Sequence, residues 1–258
     1  MSVLFQQSSM APSENETHPS VAGDGWFHTT HWSVVLRAGH SQTTEAGEAL
    51  AKLCKIYWYP LYVFARRQGQ NSEDARDLIQ GFFERVIEKH YLQAAEQEKG
   101  RFRSFLLILL KRFMANEQDR ANRLKRGGGC AVISLDQTDT EARYLKVPAD
   151  EMSPEKAYDR SWALTLLEQV NKRLEQEFAT AGKAGIFREL SVFLTGEAAE
   201  HTYAELGQKL GLSEANVKVS VHRLRQRYRE LLRLEIANTV SSPEAIDDEI
   251  RDLFAVLS

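Results

Sequence analysis

TYAELGQKLGLSEANVKVSVHRLRQRYREL, residues 202–231, is the stretch whose pattern decides the fold. Ala204, Leu206 and Leu210 recur at helical spacing, Gly211 permits a tight turn, and Ser213 stands where a second helix needs its N-cap. That helix carries Val217, Val221, Leu224, Tyr228 and Leu231 on one stripe. Asn216, Lys218, Ser220, His222, Arg223, Arg225 and Arg227 fall to its side or opposite face. The pattern is a helix-turn-helix. A recognition helix places its first turns against base edges in the major groove and later cations against phosphates. Asn216, Lys218, Ser220 and His222 are therefore candidate base readers, and Arg223, Arg225 and Arg227 candidate phosphate anchors. Two helices joined at a glycine also describe a solvated basic pair, so the neighbouring sequence has to discriminate.

Upstream, Ser153-Pro154-Glu155 opens a helix whose apolar face follows Tyr158, Trp162, Leu166, Val170 and Leu174, and Ile186 to Leu194 reads as a shorter one. Leu50, Leu53, Ile56, Tyr57, Leu61 and Phe64 mark an earlier helix, bent at Pro60. Ser72 is the expected cap of the next, with Glu73 and Asp74 in its first turn and Ala75, Leu78, Ile79, Phe82, Phe83 and Val86 on its face. A third runs from Phe102 through Phe105, Leu106, Leu109 and Phe113 to Arg126 and stops at Gly127–Gly129. No strand period competes. The expected class is all-α, with two helical domains joined by a flexible linker. Residues 1–27 read as a disordered segment, 28–126 as the first domain, 127–152 as the linker, 153–236 as the helix-turn-helix domain and 237–258 as an acidic helical extension.

The formal charge of −3 conceals two basic stripes. Arg101 to Arg126 holds eight Lys or Arg against Glu117 and Asp119, and His201 to Arg233 holds seven against three acids. Six acids against Arg251 in residues 235–258 offset them. Cys54 and Cys130 lack metal-ligand spacing, and the triple glycine lacks the Lys-Ser/Thr of a phosphate loop, so neither a metal, a cofactor nor a catalytic centre is expected. The longest apolar run, Phe105 to Leu110, is too short to span a bilayer, and no basic-then-apolar leader opens the chain, which points to the cytoplasm.

With these motifs in place, residues 28–258 resemble the extracytoplasmic-function (ECF) class of sigma-70 family RNA polymerase sigma factors. Residues 72–86, SEDARDLIQGFFERV, look like the family's region 2.2. The resemblance implies that Asp74, Asp77, Leu78, Gln80 and Phe83 dock on the beta-prime clamp helices of the polymerase core. Read without it, Leu78 and Phe83 are core and the acids cap a helix. Gly100-Arg-Phe-Arg-Ser-Phe-Leu106 and the helix through Arg126 look like regions 2.3 and 2.4, which melt and hold the minus-ten element. Arg103, Lys111, Arg112, Asn116, Arg120 and Arg123 are then the candidate contacts, since a single strand needs cations for phosphates and polar or planar groups for bases. Phe102, Phe105 and Phe113 are assigned to the core. Val217-Lys218 and Arg223-Leu224-Arg225 resemble the region 4 pattern, which implies recognition of the minus-35 element. Ser220, Arg112 and Asn116 depart from common family residues, which leaves the promoter sequence open.

The resemblance implies RNA polymerase core and promoter DNA as partners, with a separate anti-sigma factor or other regulator. The rival class is a helix-turn-helix regulator with a sensing or dimerisation domain in residues 28–126, against which the first basic stripe argues. Thr29–Val35 and Asp247–Phe254 resemble a subgroup with an acidic extension. In that extension Ile246, Ile250, Leu253 and Phe254 share one helical face and the acids the other, as in a packed amphipathic helix. The sharper alternative has its acids mask the recognition helix. Truncation after Leu234 raises promoter affinity if they mask it and leaves affinity unchanged if they do not.

Overall fold

The computed structural model describes residues 44–88, 101–123, 138–145, 152–195, 202–240 and 242–258. Segment 1–27, Thr29–Val35, Gly127–Gly129 and Cys130 lie outside the described residues, as do the side chains of Cys54, Arg120 and Arg123. Every regular element among the described residues is an α-helix: α1 Thr44–Arg67, α2 Ser72–Glu88, α3 Phe102–Arg123, α4 Thr138–Leu145, α5 Pro154–Thr180, α6 Ala184–Leu190, α7 Val192–Thr195, α8 Tyr203–Leu210, α9 Glu214–Ala237 and α10 Ala245–Ala255. None of them is long and apolar enough to cross a membrane.

Local chemistry sets the helix starts. Ser153 caps α5, accepting from the Lys156 N–H, and Pro154 follows in the first turn, where its missing N–H costs nothing. The cap of α2 is Asn71 rather than Ser72. Asn71 Oδ1 accepts from the Asp74 N–H at 2.8 Å, so the helix begins one residue earlier than the serine signal suggested. The expected single helix from Ile186 to Leu194 is interrupted at Ser191, whose hydroxyl donates to the Arg188 carbonyl at 3.0 Å, and α6 and α7 result.

α1 is covered on all sides over its second half. Leu61, Tyr62, Val63, Phe64 and Ala65 are all buried, which one apolar stripe cannot produce. One side meets α2 and α3 and the other meets α5, and α9 packs on α5 in turn. Helices from both expected domains thus share one continuous core. At its centre the Tyr57 ring meets Phe102 edge-on at 5.0 Å, and Trp162 Nε1 donates to the Tyr57 hydroxyl at 3.1 Å. Tyr158 donates to the Arg103 carbonyl at 2.9 Å. The polar tips of three fully buried aromatics are thereby satisfied.

Two short helices brace this core. α4, within the expected linker, straddles the α1–α5 seam. Glu141 pairs with Arg66 at 3.0 Å and accepts from Tyr62, while Arg143 lies over the Tyr59 ring at 3.9 Å and reaches Thr165 and Glu168. α10 packs on α9 and α5 through Ile246 and Leu253. Its apolar face differs from the expected one, because Glu249 is fully buried within it and Phe254 is about half exposed. Phe102 N–H also donates to the carbonyl of Thr239, just after α9, at 3.0 Å.

Burial, first, and the nearby Glu249 carboxylate raise the Tyr57 phenol well above its ordinary value. Burial, with the neighbouring Tyr57 and Asp159, does the same to Tyr158. Above pH ~10 the unfolded chain loses these protons while the folded one keeps them, so stability falls with rising pH. Urea unfolding at stepped alkaline pH should show a loss approaching about 1.4 kcal/mol per pH unit for each tyrosine. A flat profile above pH ~10 contradicts this placement.

Candidate nucleic-acid interface

The turn between α8 and α9 is built from a few residues in defined roles. Thr202 and Glu205 form a reciprocal capping box at the start of α8, with hydrogen bonds of 3.2 and 2.9 Å. Gly211 ends α8 with φ +67°, a left-handed geometry that disfavours any Cβ. Leu212 N–H donates to the Gly207 carbonyl at 2.9 Å, folding the turn back on the helix. A Cβ at Gly207 would stand 2.7 Å from the Leu212 carbonyl oxygen, so only glycine admits that approach. Ser213 then accepts from Asn216 N–H at 3.2 Å and starts α9. Leu206, Val217, Val221 and Leu224 are buried behind this turn and fix α9 in orientation.

Of the candidate readers, Asn216, Lys218 and His222 are exposed and Ser220 is half-buried. Lys218 pairs with Glu214 at 2.7 Å, one turn back, and that hydrogen bond raises its pKa. The pair is open to water, so solvent and salt weaken it and a phosphate can replace it. Arg223 is exposed and has no ion-pair partner among the described residues. The other two anchors are surface side chains already bonded to the protein itself. Arg225 donates twice to the Phe193 carbonyl, at 3.1 and 3.3 Å. Arg227 grips Glu177 on α5 with two hydrogen bonds of 2.8 Å and also meets Glu230. Its bond to Arg227, first, holds the Glu177 carboxyl below its ordinary range. Both arginines thus tie α9 to its own bundle. Arg229, two turns beyond His222 on the same stripe, is an exposed cation that the sequence pattern left out.

On α3, Lys111, Arg112 and Asn116 are exposed. Arg112 and Asn116 rim a cavity of about 190 Å³ floored by Phe82, Val86, Leu109 and Phe113. Lys111 pairs with Glu155 of α5 at 2.8 Å. Phe102 and Phe105 are buried and Phe113 is half-buried, as core assignment expects. Arg103 does not stand on this surface. It is 7% exposed, over the Trp162 ring at 4.8 Å, and bonded to Glu249 at 2.7 Å and to Asp159. Burial alone would lower its pKa, but these carboxylates outweigh it and hold the guanidinium charged. Arg101, one residue before α3, bonds Glu249 at 2.7 Å and Asp252.

On α2, Asp74 and Asp77 are exposed, Leu78 and Gln80 are half-buried, and Phe83 is buried beside Phe82. Two carboxylates are therefore presented to solvent, while Phe83 supports the helix from within.

Glu249, Asp252, Asp159 and Arg101 are the charged residues that helical periodicity did not single out. A signal existed: positions 246, 249, 250 and 253 lie on one stripe, so an acid sits among the apolar residues of α10. Its partner, 146 positions earlier, leaves no local trace.

The turn geometry makes a stability prediction. Gly207→Ala should destabilise by about 1–3 kcal/mol, the usual cost of forcing an atom into a packed site. Gly185→Ala meets nothing within 4 Å and should be neutral or stabilise slightly. Urea midpoints compare the two. Comparison with protein-family models, with curated proteins and with solved structures gave no match.

Proposed function

We propose that the chain is a sigma-type transcription initiation factor. One observation supports this most: a helix-turn-helix, fixed by Gly207, Gly211 and two capped helix starts, whose second helix directs Asn216, Lys218, His222 and Arg223 into solvent. In this reading that face meets the minus-35 element as duplex. Lys111, Arg112 and Asn116, with Arg120 and Arg123 farther along α3, meet the minus-ten element, and the exposed Asp74 and Asp77 of α2 meet the beta-prime clamp helices of polymerase core. Two functional domains joined by residues 127–152 and a cytoplasmic location belong to the same reading. The phosphodiester chemistry is the polymerase's, so the chain needs no catalytic group of its own.

Run-off transcription with purified polymerase core tests the reading, which predicts a promoter-dependent product; none from any template counts against it. Arg223→Ala should weaken binding across all sequences and flatten the salt dependence by about one released counterion. Lys218→Ala should instead change which upstream element is preferred. Equal, sequence-independent losses for both contradict that division of roles.

A further inference from the structure

We infer that α10 is an autoinhibitory clasp, whose Glu249 and Asp252 occupy Arg101 and Arg103 until a nucleic-acid backbone displaces them. The inference rests on the reading of α3 as a DNA-binding helix.

The geometry supports it in three ways. The arginines at the start of α3 open the chain's most basic stretch, and both are held by carboxylates from α10. Glu249 bridges the two, one oxygen to Arg101 Nε and the other to Arg103 Nε, each at 2.7 Å. Asp252 reaches both as well, and Asp159 of α5 adds a third carboxylate on Arg103. Farther along the helix Lys111 is met by Glu155. Three cations of the first basic stripe are thus neutralised by acids from residues 152–258, as phosphates would neutralise them.

The network is also open on its outer side. Glu249 is fully buried, but the Asp252 and Arg101 side chains are 43% and 28% exposed. An incoming anion therefore reaches Arg101 before α10 moves, and each bond it replaces weakens the hold on the next.

α10 itself is suited to release. It is an 11-residue helix, too short to persist by itself, and its apolar docking is incomplete: Ile246 and Leu253 are buried, Ala245 and Ile250 are only partly covered, and Phe254 is left half exposed. Its hold differs from masking of the recognition helix, the alternative to simple packing that the sequence raised. Arg233, in the last turns of α9, meets Asp247, while Lys218, His222 and Arg223 form no ion pair with α10.

The full chain provides the test, with anisotropy of a short fluorescein-labelled single strand of DNA as readout. Glu249→Gln combined with Asp252→Asn should raise affinity roughly tenfold, within the usual range of coupling between sites. Asp248→Asn changes net charge on the same helix, but Asp248 bonds only Arg251 and serves as the control, with affinity little changed. An equal gain in the control, or no gain in the double variant, overturns the clasp and leaves DNA binding standing. If the double variant does not fold, amide exchange on the unmodified chain decides. Residues 245–255 should lose protection when DNA is added, and unchanged protection overturns the inference. Absence of DNA binding by every form, with or without polymerase core, overturns both the clasp and the proposed function.

Discussion

A guanidinium buried among aromatics has to be matched by charge, and Arg103 is where this molecule meets that requirement. Leaving a buried cation unpaired costs several kcal/mol, so Arg103 over Trp162 needs an anionic partner, and in this structure Glu249 and Asp159 supply it. Those two carboxylates belong to α10 and α5, so one side chain obliges three helices to meet. Because the Arg103 carbonyl also accepts from Tyr158, and Trp162 donates to Tyr57, α1 joins the same junction. Removing one partner would leave the others with unsatisfied polar atoms, which makes the junction cooperative.

Around that junction the arginines divide by whether the fold gives them a partner. Arg227, Arg225, Arg143 and Arg66 fasten one helix to another by hydrogen bonds to carboxylates or a carbonyl, often with an aromatic face beneath. Arg223, Arg229 and Arg112 remain in water. The planar fork of arginine suits the first task through fixed bidentate geometry and the second through permanent charge. A basic stretch therefore overstates the charge its surface can offer to nucleic acid, since part of it is neutralised within the fold.

This division also marks what the sequence could disclose. Helix identity, the turn at Gly211, the caps at Ser153 and Ser213 and the exposure of Asn216, Lys218 and His222 all follow from patterns within a few residues, where periodicity and capping act. The engagement of Arg103, Arg225 and Arg227 follows from Glu249, the Phe193 carbonyl and Glu177, which stand 146, 32 and 50 positions away. No local rule relates such pairs. The same limit applies to α1, whose all-round burial reflects the arrival of α5 from beyond the expected linker. The one-residue offset at the start of α2 has a smaller cause, since Asn71 and Ser72 are both good caps and the backbone used the asparagine.

The α1–α5 seam has a consequence for the order in which the molecule assembles. Tyr57 and Trp162 are separated by 105 positions, so the central contact closes a long loop, unusual for a helical protein in which most contacts are local. During synthesis the aromatic flank of α1 stays uncovered until α5 has left the ribosome, and α10 is the last described helix to emerge. In that interval Tyr57 lacks the Trp162 that caps its hydroxyl and Tyr62 lacks Glu141, so the aromatic face of α1 is open to non-native apolar contacts until the later helices arrive.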